Sequence, residues 1–183
     1  MTVASESPRG FCIRSYTPKD HAAVCALFAE GMLLYAPPEA EDPWLHHGFH
    51  RYVQECIDGD LSTIKETYEG SGGHFWVATA TESDGKEVVV ATIGLEGQSD
   101  GKGLLRRLSV SAAYRRHGLA VKLVNRVEQW AKMQGFKAVT LNTDCAMTPA
   151  LKLYDRLGYT RTHHETIREE PYYYLVWFEK KLV

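Results

Sequence analysis

Arg115, Arg116, Gly118 and Ala120 place two guanidinium groups and two small residues within the six-residue segment Arg115-Arg116-His117-Gly118-Leu119-Ala120. Small residues let a ligand approach the main chain, and guanidinium groups match the geometry of phosphate oxygens. The segment lies between an apolar run ending at Val110 and a helical pattern beginning at Leu119. Main-chain N–H groups and the positive end of a helix dipole converge at such a junction, which suits a phosphate. An ordinary loop whose glycine eases the chain into a helix is the alternative. Glu96 ends an apolar strand in mid-chain. A carboxylate there could face a cleft, have its pKa raised by partial burial and act as a base; otherwise it is a solvated strand-end residue beside Gly97. Cys145 has no base assigned to it and reads as an inert thiol. His46, His47 and His50 include an i, i+4 pair, but no metalloprotease Glu follows and no third ligand is evident. No metal is expected.

The elements that must position these residues follow from periodicity. Phe11 to Arg14 reads as a strand, and Thr17-Pro18-Lys19-Asp20 combines a cap, a proline at the first helical position and an acidic residue three places on. Ala23, Val24, Leu27, Phe28 and Gly31 continue at helical spacing until Pro37-Pro38. Residues 43 to 58 give a weaker helical signal. Three strands follow, at 74–80, 87–95 and 104–110, separated by two copies of Ser-Asp-Gly-Lys, whose Asp-Gly pairs predict hairpin turns and so an antiparallel meander. Ala120, Leu123, Val124, Val127 and Ala131 then mark one helical face ending at Gly135. A strand at 138–142, a helix from Thr148 to Leu157, and strands at 159–167 and 172–182 complete the chain. This order implies a mixed sheet with helices on both faces. Arg106 and Arg107 stand side by side on a central strand, so at least one should point toward the cleft. The alternatives are a salt bridge to a neighbouring acid, or a bulge turning both outward. Tyr172-Tyr173-Tyr174 should pack one face and offer the other to a pocket or partner.

Composition bounds the function. At 183 residues, 44% hydrophobic and 24% charged, the chain is sized for one domain over 11–183, preceded by a loose tail at 1–10. A net charge of -2 argues against wrapping a nucleic-acid backbone. No apolar run approaches the ~20 residues of a membrane span, and residues 1 to 10 lack a secretory pattern. Cys12, Cys25, Cys56 and Cys145 lie far apart with no Cys-x-x-Cys pair, as free thiols of a reducing compartment would. A cytoplasmic protein without membrane or nucleic-acid partners is expected.

The ordered motifs resemble the GNAT acetyltransferase superfamily. Arg115-x-x-Gly118-x-Ala120 matches its pyrophosphate pattern, preceded by Leu108-Ser109-Val110 and followed by Asn142 and by Ala150-x-x-Leu153-Tyr154-x-x-x-Gly158-Tyr159. The resemblance is strongest over 104–159. It implies an α/β (α+β) fold of GNAT type, with a mixed, mostly antiparallel split sheet flanked by helices on both faces. It further implies acetyl-CoA as cosubstrate in the split. Leu108, Ser109 and Val110 would lie along the pantetheine arm, and Arg115, Arg116, His117, Gly118, Leu119 and Ala120 at the pyrophosphate. Asn142 and Tyr154 would lie near the thioester. The Val110 N–H is the candidate to polarise the carbonyl. Tyr154 matches the family's proton donor, with a core aromatic as its alternative. Met147 stands where many members carry asparagine. The implied reaction is acetyl transfer to a primary amine by direct attack in a ternary complex, with the acceptor pocket between Met32 and Ser71 and in the 159–174 hairpin. A degenerate acetyl-CoA-binding module and a transferase of larger acyl groups are the alternatives. Members often pair, so a homodimer is compatible.

Overall fold

A computed structural model describes residues 10–182, so the expected tail at 1–10 lies almost wholly outside the described residues. The strands are β1 (Cys12–Ser15), β2 (His74–Thr81), β3 (Glu87–Gly97), β4 (Gly103–Val110), β5 (Ala138–Asp144), β6 (Thr160–Arg168) and β7 (Tyr173–Lys181). The helices are α1 (His21–Leu33), α2 (Pro43–Asp58), α3 (Leu119–Met133) and α4 (Thr148–Arg156). Before α1 a single 3-10 turn intervenes at Pro18–Asp20, where Asp20 accepts from the Thr17 N–H and hydroxyl at 2.8 and 2.9 Å. The helix from 43 to 58 forms with Asp42 as its cap, accepting from the Leu45 N–H at 3.0 Å.

One seven-stranded sheet runs β1-β2-β3-β4-β5-β7-β6, and every pairing is antiparallel except β4 with β5. Strand alternation divides its side chains between two cores. Phe75 and Val77 pack with Val24 and Phe28 of α1 and Val53 and Cys56 of α2. Trp76, Ala78, Ile93 and Leu95 pack on the other face with Leu119, Leu123, Val124, Val127 and Ala131 of α3. The buried stripe of α3 is the one its 3.6-residue period predicts, and each such aliphatic residue contributes roughly 1.5–3 kcal/mol of burial. The sheet is split. β4 meets β5 only at Gly103 with Val139 and Leu104 with Thr140, beyond which β4 stays with β3 and β5 with β7.

Candidate acetyl-CoA and acceptor site

The unpaired reaches of β4 and β5 open a cavity of about 500 Å³. Its walls come from β4 (Leu104 to Ser109), β5 (Asn142 to Asp144), α4 with the turn before it (Met147, Ala150, Tyr154), α1 and α2 (Phe28, Met32, Trp44, Phe49, Tyr52) and the β6–β7 hairpin (Ile167, Tyr173, Leu175). The expected cofactor-side residues Leu108, Ser109, Asn142 and Tyr154 all lie on this wall, as do residues from the two segments expected to form the acceptor pocket.

Val110 sits where the split opens. The Ser111 N–H bonds the Val90 carbonyl at 2.9 Å, and Ser109 faces Thr92. Because antiparallel residues alternate between bonding inward and outward, Val110 turns its N–H and C=O away from β3, toward the gap. Its carbonyl accepts from Arg115 Nε at 3.0 Å, tying the arginine loop to the end of β4. Gly118 then caps α3 with φ +74°, and a Cβ there would meet nothing within 4 Å. The N–H groups of Gly118, Leu119 and Ala120 have no main-chain acceptor among the described residues. Arg115, Arg116, His117 and Gly118 are exposed, and no acidic residue occupies the first turn of α3. Free donors, a glycine with open space beside it and two cations fit a pyrophosphate at this end of the split.

Tyr154 is 5% exposed, its ring held against Tyr159 and Phe178 at 5.6 and 5.7 Å, and burial pushes its phenol up. It is both a core aromatic and a wall of the cavity. Tyr173 is the member of the Tyr172-Tyr173-Tyr174 run that lines the cavity, and Asp144 is a wall residue the sequence did not single out. Asp144 ends a β5 two residues longer than expected, is 8% exposed, and burial pushes its carboxyl up to about 6. Alternation along the strand was the available signal, since Asp144 shares the face of Asn142.

Both arginines of β4 point into the molecule. Arg107 has φ +58°, and the register passes from Thr92–Ser109 to Gly94–Arg106 with one extra residue on β4. That bulge faces Arg106 and Arg107 to the same side, where Asp60 receives Arg107 in a bidentate pair (Nε to Oδ2, 2.9 Å) and Arg106 Nη2 at 3.4 Å. The Tyr68 hydroxyl donates to the same carboxylate at 2.6 Å, and Arg107 donates to the Tyr52 hydroxyl at 3.1 Å while lying over the Phe28 ring at 4.7 Å. A bulge and an acidic partner were both expected as alternatives; the outward direction was not realised, because Asp60 lies inward.

Glu96 is not brought to the cavity wall. Its carboxylate accepts from Arg106 Nη1 at 2.7 Å, and Arg106 itself lines the cavity. Burial raises the Cys145 thiol, in keeping with an inert role. His163 lies on β6 stacked on Trp177, away from the cavity. The described residues contain no group of three metal-ligating side chains, and no helix among them is long and apolar enough to cross a membrane.

A mostly antiparallel seven-stranded sheet that splits between β4 and β5, with helices on both faces, is the architecture of the GNAT fold. The chain belongs to the acetyltransferase (GNAT) family, whose sequence profile matches residues 32–159. It is 38% identical over 116 residues to N-acetyltransferase family 8 member 2 of Rattus norvegicus, covering 62% of this chain and 50% of that protein. It is 34% identical over 145 residues to rat N-acetyltransferase 8F1, covering 77% and 60%. The chain thus spans about half of the length of these curated relatives. Among solved structures, a GNAT-family acetyltransferase from Staphylococcus aureus Mu50 superposes with a TM-score of 0.71 at 18% identity, over 95% of this chain and 100% of that one. An acetyltransferase structure from Salmonella typhimurium that holds acetyl-CoA superposes with a TM-score of 0.67 at 17% identity, over 96% and 95%. At these identities the structures attest the fold.

Proposed function

We propose that the chain transfers the acetyl group of acetyl-CoA to a primary amine by direct attack in a ternary complex. The observation that carries this reading is the outward-turned Val110 N–H, one residue beyond the cavity-lining Ser109, with Tyr154 on the cavity wall and the Arg115–Ala120 segment tied to Val110 through Arg115. The pyrophosphate would rest on Arg115, Arg116 and the N–H groups from His117 to Ala120. The pantetheine arm would run along Leu108, Ser109 and Val110, adding a strand where β4 lacks one, and pass Asn142.

The chemistry then balances. The ammonium form of the amine first gives up one proton, which ends in solvent, and the neutral nitrogen then forms a bond to the thioester carbon while the Val110 N–H holds the developing oxyanion. The carbon–sulfur bond breaks with its electron pair on sulfur, and Tyr154 gives that sulfur a proton. The second proton leaving the nitrogen restores the phenol. Burial pushes the Tyr154 phenol up, so it stays protonated until the thiolate forms, and its placement on the cavity wall, not its acidity, supports this role. Glu96 serves by holding Arg106 and does not touch the amine.

Thiol release from acetyl-CoA in the presence of a broad amine panel tests the reaction. Turnover with a single-displacement kinetic pattern is expected. Acetyl-CoA binding with no thiol release from any amine would sink the proposal and leave a cofactor-binding module.

A further inference from the structure

One part of the cavity wall is unlike the rest. Phe28, Met32, Trp44, Phe49, Ile167 and Leu175 make it apolar. The buried charges around it are matched, with one exception. Arg106 and Arg107 are matched by Asp60 and Glu96. Arg51 and Glu55, both exposed, line the cavity from α2 four residues apart. Asp144 is the buried carboxylate of the lining and has no cationic partner among the described residues; its Oδ1 accepts the Ala146 N–H at 2.7 Å. Tyr173, 9% exposed, lines the same wall with a buried hydroxyl that bonds nothing. The two are neighbours by register: Asp144 faces Leu175 across β5 and β7, and Tyr173 shares the face of Leu175. A buried hydroxyl without a partner costs stability, and a buried carboxylate without a cation costs more. Both costs are met when a cation with hydrogens to donate arrives between them.

We propose that this pocket takes a hydrophobic primary amine, alkyl or arylalkyl, whose ammonium group is received by the Asp144 carboxylate and the Tyr173 hydroxyl. The inference rests on the acetyl-transfer reading and assigns its acceptor. Asp144 takes the first proton from the ammonium nitrogen, leaving the lone pair free for attack, and passes it to solvent after the product leaves. An acceptor carrying its own carboxylate beside the amine would bring a second anion next to Asp144, so amino acids are disfavoured. Polyamines would leave a second ammonium against the apolar wall.

The test uses the full chain with 2-phenylethylamine, hexylamine, phenylalanine and spermidine, followed by thiol release with acetyl-CoA and by calorimetric amine binding with CoA bound. The two monoamines should exceed phenylalanine and spermidine in kcat/KM by about tenfold or more, the scale of one charge-assisted contact. Asp144→Asn should weaken 2-phenylethylamine binding by about tenfold or more while acetyl-CoA affinity holds within about twofold. Tyr173→Phe should weaken amine binding by about three- to tenfold with no loss of thermal stability, because the hydroxyl it removes bonds nothing in the folded chain. Asp144-dependent monoamine binding without turnover would uphold the pocket and overturn the transferase reading. Turnover that prefers phenylalanine or spermidine, monoamine binding unchanged in both variants, or no monoamine binding by the parent chain would each overturn the pocket while leaving acetyl transfer intact.

Discussion

Tyr154 and Asp144 show how burial sets the chemistry of single groups. The Tyr154 ring is fixed between Tyr159 and Phe178, so removing its oxygen changes no packing. Tyr154→Phe should therefore fold normally and bind acetyl-CoA as before, with kcat reduced about 100-fold, the lower range of what a positioned proton donor contributes. A fall in acetyl-CoA affinity without a fall in kcat would contradict that role. Asp144 has its folded pKa raised from 3.8 to about 6 by desolvation. A raised pKa means that the folded state binds the proton more tightly than the unfolded chain. Asp144 thus adds stability below about pH 4 and loses it as pH rises through about 6. Asp144→Asn should consequently be more stable than the parent at pH 8 by roughly 2–3 kcal/mol, with the gain vanishing near pH 4, as measured by urea unfolding. A gain of equal size at both pH values would mean that the carboxyl is not desolvated.

Among the elements, the β4 bulge and the α3 cap do most to shape the site. The bulge brings two guanidinium groups against Asp60, and the pair is nearly closed to solvent: the Arg107 side chain is 3% exposed and that of Asp60 9%. Asp60→Ala leaves Arg107 buried without its counter-charge and should cost about 3–5 kcal/mol, enough to lower Tm by roughly 10 °C or more in a chain of this size. Calorimetric unfolding measures it, and a change under about 2 °C would show that Arg107 finds another partner. At the cap, Gly118→Ala forces an L-residue to φ +74°, a strain of about 1–2 kcal/mol, and sets a methyl where phosphate would approach. The acetyl-CoA KM should rise about tenfold or more, the effect of losing one charge-assisted contact, with amine KM unchanged. The cap was legible because Gly118 and its flanking arginines are adjacent in sequence, and α3 because its apolar stripe repeats. The bulge was legible only as one of several fates for Arg106-Arg107, since its direction depends on Asp60, some 46 residues away. Asp144 was missed, and Tyr173 was legible only as one of three tyrosines with a face for a pocket, for a similar reason. What joins them is the pairing of Asp144 with Leu175 across β5 and β7, two residues from Tyr173 on the same face, and no local spacing encodes that register.

At the scale of the molecule, the sheet divides between β4 and β5, which pair at two positions only, and the proposed acceptor pocket draws on both sides of that division. The acceptor wall is assembled from α2 and from the β6–β7 hairpin, which are far apart in sequence and joined by Arg168. Its guanidinium pairs with Asp42, the cap of α2, Nη1 to Oδ1 at 2.9 Å, and lies over the Trp44 ring at 4.6 Å. Arg168 also donates to the Pro171 carbonyl at 3.0 Å, which fixes the hairpin end next to Tyr173. Asp42 is pulled down to about 2 by this partner, so the clamp is charged on both sides throughout the neutral range. Trp44, Ile167 and Tyr173 all belong to the cavity, so loosening the clamp should widen the acceptor pocket without touching the Arg115–Ala120 loop. Arg168→Ala should therefore raise the amine KM by about five- to tenfold while leaving acetyl-CoA affinity within about twofold, a split that follows from where each substrate's contacts lie. Asp42→Asn keeps an oxygen to cap α2 but removes the charge, and should show the same split in smaller measure. Equal losses toward both substrates in either variant would mean that the hairpin supports the whole sheet and not the acceptor wall alone. The experiment is initial-rate kinetics with each substrate varied in turn.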